Sequence, residues 1–209
     1  MRYGTPELLF NKHGMHAVLQ GQEQSALAAP ASMNDEIILN TPVDDLVEQL
    51  AERFNLNVPV LDRQGAEAEH SEEPVEVFDA YFSPGHRGGP DRRNTVQGSI
   101  LELSVPFTGD TEFFHIQPTT FDSAPPRAQI DKNHLVLRHT ARELNDEQAN
   151  TALNGVLDNI EKYLAWQRAT TEPFSERIKQ RLREAIEARK AKVLRDRNSV
   201  ASLGFKLEL

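Results

Sequence analysis

The sequence contains no cysteine, which excludes disulfides, thiolate metal sites and cysteine nucleophiles and fits a reducing compartment. It has no apolar run near the roughly 18 residues that a membrane-spanning helix requires. Its opening stretch, MRYGTPELLFNKHG, lacks the long apolar segment of a secretory signal. The expected location is the cytoplasm, with no membrane partner. Phosphate-cradling G-x-x-x-x-G-K, zinc-binding H-E-x-x-H and nucleophile-elbow G-x-S-x-G patterns are all missing. Positive charge is scarce as well. With 23 Lys+Arg against 32 Asp+Glu and a net charge of -9, the balance argues against a protein that simply coats nucleic acid.

The charge that is present is uneven. Between Glu172 and Ser199, nine Lys/Arg stand against five Asp/Glu, so the remainder of the chain carries a surplus of thirteen negative charges. Asp62 to Asp79 alone holds seven acids against one base, Arg63. The chain reads as an acidic body with one basic helix. A length of 209 residues suffices for one domain with a sizeable core, or for a domain plus an appendage.

Apolar periodicity is strongest in the last quarter. Ala149, Leu153, Val156, Ile160, Tyr163 and Leu164 follow the three-and-four spacing of one buried helical stripe, and Phe174, Ile178, Leu182, Ala185, Ile186 and Val193 follow another. Asn145 is the cap of the first helix, and Thr170 or Thr171 with Pro173 opens the second. The spacing therefore predicts a helical hairpin over about 145–199. Gly155, inside the first helix, implies a close approach by another element, since glycine there costs about 1 kcal/mol against alanine.

Upstream, residues 1–34 carry little regular pattern, and the Gln/Ala/Ser-rich stretch Gln20–Ser32 reads as a loop or connector. Order begins near Asp35. Thr41-Pro42 opens a helix to about Arg53, with Val43, Leu46, Val47, Leu50 and Phe54 on one face. Val58–Leu61 suits an edge strand, the acidic run Glu67–Pro74 a solvated segment, and Val75, Val77 and Tyr81 the start of a strand. Leu101, Leu103, Val105 and Phe107 line one face of the next strand, with Glu102 and Ser104 turned away. Glu112–Gln117 is expected as a strand with Phe114 and Ile116 inward. Ala128–Ile130 and His134–Arg138 form a hairpin around Asp131-Lys132-Asn133. The predicted fold is α+β: an antiparallel meander of four to five strands packed by an N-terminal helix and the C-terminal hairpin. A single domain spans 35–209, preceded by a partly irregular segment, 1–34.

Few side chains suggest chemistry. His13 and His16 share a helix spacing but lack a third ligand. His70 among Glu67, Glu69, Glu72 and Glu73 resembles a ligand set, yet acid-rich segments are ordinarily just solvated. His115 beside Phe113 and Phe114 is the one candidate general base, with no partner legible in sequence. His134 and His139 flank the last strand and read as structural. No metal, cofactor or catalytic set is expected. For nucleic-acid contact the candidates are Arg87, Arg92 and Arg93, in the Gly/Pro-rich loop Ser83–Asn94 where backbone N–H groups can approach an anion, and Lys179, Arg183 and Lys190 on the basic helix. On a helical wheel the cations of that helix straddle the apolar stripe, Arg177, Arg181 and Lys192 on one flank and Lys179, Arg183, Lys190 and Arg197 on the other. That placement suits long side chains lying along a packed interface better than a phosphate track. Arg189 falls inside the stripe and calls for a carboxylate.

Three stretches carry a family likeness: VPFTGDTEFFHIQPTTFDSAPPRAQI (Val105–Ile130), YLAWQR (Tyr163–Arg168) and IEARKAKVLRDRNSVASLGF (Ile186–Phe205). Across about residues 35–205, and most densely over Pro106–Ala128, the chain resembles the N-terminal region of uncharacterised bacterial proteins that carry a PD-(D/E)xK nuclease-like domain after it. The resemblance implies a module that accompanies nucleases or other effectors in restriction or anti-phage defence. No D…E-x-K stretch follows the block, so no catalytic residue carries over. This chain is either a piece ending before such a nuclease or a stand-alone version serving a separate effector. The family's Asn after the Phe that opens the last helix is Ser175 here. The expected function is a non-catalytic recognition or scaffold module, with a protein partner or effector domain. The alternatives are a nucleic-acid-binding domain using the basic loop and a small hydrolase centred on His115. A second copy of the chain is a further candidate partner.

Overall fold

A computed structural model describes residues 6–77 and 94–202. The fold is α+β, and the chain divides into two compact units, each assembled from three separate stretches.

The first unit comprises Met1–Asn11, Pro59–His115 and Asp122–Leu164. Its centre is an antiparallel sheet of six strands built on the 15-residue β5 (Asn94–Thr108). Along one edge β5 pairs with β8 (His134–Ala141), which pairs in turn with β7 (Arg127–Asp131) and then β1 (Glu7–Leu8). The other edge carries β4 (Glu67–Val77) and, further along, the two-residue β3 (Val60–Leu61). The β7–β8 hairpin turns on Lys132 and Asn133, with Lys132 at a φ of 54°, the positive backbone angle that two-residue hairpin loops demand.

Aromatic rings fill this unit's core. Phe10 stacks on Tyr163 at 4.8 Å, and Phe107 meets Phe114 edge-on at 4.9 Å, the geometries that ring quadrupoles favour. Phe10 itself has a φ of 55°, a strained value for a bulky residue. It is held there by burial and by its N–H, which donates to the Phe114 carbonyl at 2.6 Å. Val105, Leu135, Leu137 and the helical Leu153, Leu157 and Ile160 complete the packing.

The second unit comprises Lys12–Val58, Ile116–Phe121 and Ala165–Leu209. Helices α1 (Met15–Ser32), α2 (Asp35–Asn40) and α3 (Val43–Arg53) pack with the later part of α4 (Asp146–Ser202). Ala26, Ile38, Leu46, Val47 and Leu50 meet Phe174, Ile178, Leu182, Ile186 and Val193 in one apolar cluster. A short parallel pair, β2 (His13–Gly14) with β6 (Ile116–Gln117), joins the ends of two of this unit's segments.

Four local expectations change. The C-terminal hairpin is instead one continuous helix of 57 residues that runs through Pro173. Its buried stripe is unbroken in three-and-four steps, because Gln167 and Thr171, at 0% and 4% exposure, bridge the two apolar sets. Gln167 donates to the Ile116 carbonyl at 2.6 Å and Thr171 to the Arg168 carbonyl at 3.3 Å, so the amide N–H of one and the hydroxyl of the other are used inside. Within the stripe Leu157 is buried, and Val156 is only half-buried. Next, Gln20–Ser32 is helix rather than loop. Its Ala, Gln and Leu content favours that state intrinsically, while its buried side chains (Met15, Ala26, Pro30) are too sparse to show as a stripe.

The third change concerns Thr111–His115, a 3₁₀ turn rather than a strand, opened by Phe113 N–H donating to the Asp110 carbonyl at 3.1 Å. Both Phe113 and Phe114 are buried, not one on each side of a sheet. Lastly, nothing approaches Gly155 within 4 Å of where a Cβ would stand, so its glycine answers no packing demand. The acidic run does keep its side chains in water, as expected, but its backbone is strand β4. Asn145 caps α4 as read, accepting from the Gln148 N–H at 2.9 Å, while the cap of α3 moves one residue, to Pro42.

Candidate functional site

On the basic part of α4 six of the cations are tied to acids of the same unit. Glu23 of α1 receives Arg181, with Arg177 at 3.9 Å. Lys179 lies 3.6 Å from Glu48 and Arg183 2.5 Å from Asp44, both acids on α3. Lys190 donates to the Thr41 carbonyl at 2.6 Å. Arg189, inside the stripe, has the expected carboxylate: Asp35, at 2.6 Å. Arg197 meets Glu36 at 2.5 Å, and that hydrogen bond, with the charge behind it, holds the Glu36 carboxyl below its ordinary value. The two flanks read on the wheel thus face different helices, α1 on one side and α2 and α3 on the other. Of the candidate nucleic-acid contacts, Lys179, Arg183 and Lys190 share this surface. Arg87, Arg92 and Arg93 lie outside the described residues.

The sheet resolves the apparent His70 cluster. Strand alternation puts Glu67, Glu69 and Glu73 on one face of β4 and His70 with Glu72 on the other. Among the described residues no group of three or more His, Asp and Glu is arranged to hold a metal. Arg138 of β8 stands opposite Glu102 of β5 at 3.4 Å and reaches Glu73 at 3.3 Å. Glu73 faces Gly98, which puts no side chain in the way. His115 is half-buried in the 3₁₀ turn, away from the strand that the sequence suggested.

The first unit contains a groove of about 610 Å³. One wall is the start of α4, presenting Thr151, Ala152, Gly155 and Val156; the other is the Ala124–Arg127 segment with Pro125 and Pro126. Leu137 and Leu153 contribute apolar surface, and Arg127 and Arg138 stand at the sides. The proline wall is fixed by a polar latch one turn further along the helix. Lys162 donates to Asp122 at 2.6 Å, the Tyr163 hydroxyl donates to Asp122 Oδ1 at 2.8 Å, and Asn159 donates to the Ala124 carbonyl at 3.1 Å. Burial, and then the hydrogen bond to Asp122, push the Tyr163 hydroxyl up to about 12. The hydrogen bonds from Lys162 and Tyr163 hold Asp122 below its ordinary range. On the same stretch of helix, Arg63 bridges Asp158 at 2.6 Å and Glu161 at 2.7 Å. Burial pulls its guanidinium down, but the two carboxylates outweigh that and hold it above its usual value.

This groove contains no carboxylate, histidine or lysine among its lining residues. It offers apolar contact and the guanidinium of Arg127, that of Arg138 being shared with Glu102 and Glu73, the chemistry of holding a ligand rather than of moving a proton. The sequence reading missed it. The only signals were Pro125-Pro126 and the small residues Ala152 and Gly155 on the exposed side of a helix. Among the described residues no helix is long and apolar enough to cross a membrane. Comparison of the chain with protein-family models, with curated proteins and with solved structures found no match.

Proposed function

We propose that this protein is a non-catalytic recognition module, working in the cytoplasm, that holds a partner protein or effector domain. The observation that carries this reading is the groove between α4 and the Ala124–Arg127 segment, with its apolar walls and its lack of any lining group that titrates near neutrality. A volume of about 610 Å³ falls within the ordinary range of ligand sites and accepts one or two apolar side chains of a partner. The system it serves is of the bacterial restriction or anti-phage type, a reading supported by the P-F-x-G-D…F…P-T-T-F…P-P-x-A pattern over Pro106–Ala128.

Ala152 is exposed on the groove wall, so Ala152→Trp fills the groove without touching the core. The purified chain, mixed with effector proteins encoded beside its gene, is expected to elute as a stable complex in size-exclusion chromatography, and the Trp variant as a free chain. A complex that survives the substitution, or no complex with any of those proteins, overturns the reading. Nucleic-acid binding is the weaker alternative. Lys179, Arg183 and Lys190 would first have to leave Glu48, Asp44 and the Thr41 carbonyl. Duplex binding that falls steeply with salt and disappears on changing Arg87, Arg92 and Arg93 together to Ala would restore it.

A further inference from the structure

We infer that the groove between α3 and α4 in the second unit docks a cationic segment of a partner protein, one that presents a Lys or Arg side chain next to an apolar one. The inference rests on the recognition reading and adds the partner's charge. The groove measures about 380 Å³; Phe54 and Ile178 give it apolar surface, and Glu48, Glu52, Glu176 and Lys179 supply its charges. Three carboxylates thus share it with one ammonium, and that ammonium is already held by Glu48 at 3.6 Å.

Glu52 on α3 and Glu176 on α4 are different. Neither carboxylate has an ion pair or side-chain hydrogen bond among the described residues, although the arginines around them do. The nearest base in sequence, Arg53, is turned onto the Phe54 ring at 5.3 Å. An adjoining groove of about 500 Å³ shares Glu48, Glu176 and Lys179, and its two guanidinium groups, Arg177 and Arg183, are taken by Glu23 and Asp44. The helix whose composition suggested phosphate binding therefore shows, at this groove, the opposite sign. The cations that line the two grooves are committed within the unit, and the acids Glu52 and Glu176 have no ion pair among the described residues. A lysine or arginine from outside would supply their counter-charge, whereas a phosphate backbone or an acidic peptide would not.

Short fluorescent peptides of matched apolar content, one rich in Lys/Arg, one rich in Asp/Glu and one uncharged, test this on the full chain by anisotropy. The basic peptide is expected to bind at least about tenfold more tightly than the uncharged one, and to lose about tenfold in the E52Q/E176Q double variant. The Ala152→Trp variant should bind it unchanged. Equal binding of the uncharged peptide, or an unaltered affinity in the double variant, overturns the inference. Because the double variant removes charges that have no partner, its melting temperature should hold or rise; a fall of several degrees would make the carboxylates structural and also overturn it. If no basic peptide binds while the effector complex still depends on Ala152, this inference fails and the recognition reading stands. If that complex is absent as well, both fall.

Discussion

The two parts of α4 carry the same apolar spacing and meet different surroundings. Up to Leu164 the helix packs against aromatic rings and fastens a loop through a mixed polar cluster, Tyr163, Lys162 and Asn159 to Asp122 and Ala124. Beyond it, the helix is flanked by long cations that reach acids on three other helices. One periodicity thus serves two kinds of interface. The spacing of a stripe says which face is covered, and the residues beside the stripe say by what.

The largest effects should come from the stripe itself, in both parts. Ile160→Ala in the first unit and Leu182→Ala in the second, each at 0% exposure, should each cost about 2–5 kcal/mol, measured by denaturant unfolding. A change under about 1 kcal/mol at either site would show that this part of the helix is not holding its unit.

Next in size is a pH effect confined to the first part. The Tyr163 hydroxyl titrates near 12 in the fold against an ordinary 10.0, so the folded state keeps its proton longer than the unfolded chain does. The resulting stability is fully present below about pH 10 and is lost as pH rises towards about 12, a change of roughly 2–3 kcal/mol. Tyr163→Phe should flatten that alkaline limb in a stability-against-pH series; a limb identical to the parent's would remove Tyr163 as its source. At the acid end the sign reverses. Asp122, held below the ordinary 3.8 of an aspartate, adds stability above that pH that fades as pH falls.

A smaller effect separates the ion pairs of the second part from one another. Asp35→Asn leaves Arg189, the least exposed of the paired cations at 23%, without its counter-charge and should cost about 1–2 kcal/mol. Asp44→Asn releases Arg183 from a pair exposed by 46% and 76% and should cost well under about 1 kcal/mol. Equal losses in thermal melts would mean that exposure does not rank these pairs. Smallest of all, and opposite in sign, Gly155→Ala should add about 1 kcal/mol, because a Cβ there meets nothing within 4 Å. A loss would show that the glycine is needed by whatever enters the groove or by the helix itself.

How much of this was legible follows from where the signals lie. The alternation from Leu101 to Phe107 and the turn signal at Asp131-Lys132-Asn133 are local, and the strands they mark appear where they were expected. The wheel placed the cations correctly on two flanks because their positions depend only on helical geometry. Pro173 suggested a break that the fold does not take. The bridging residues Gln167 and Thr171 are polar, and a reading based on hydrophobicity cannot see that a buried hydrogen bond makes them interior. The groove of the first unit was invisible for a related reason. Its proline wall is positioned by Tyr163, Lys162 and Asn159 acting across about forty residues of chain, a tertiary contact with no local trace.

The interleaving of the two units has a consequence for synthesis. Residues Met15–Arg53 leave the ribosome early, yet the apolar face that covers them begins only at Phe174. Leu9 and Phe10 likewise await Phe114 and Tyr163. Neither body can close on its own nascent stretch, as an N-terminal domain ordinarily would. Each must wait for its own last stretch, and no single cut in the gene would release either one whole.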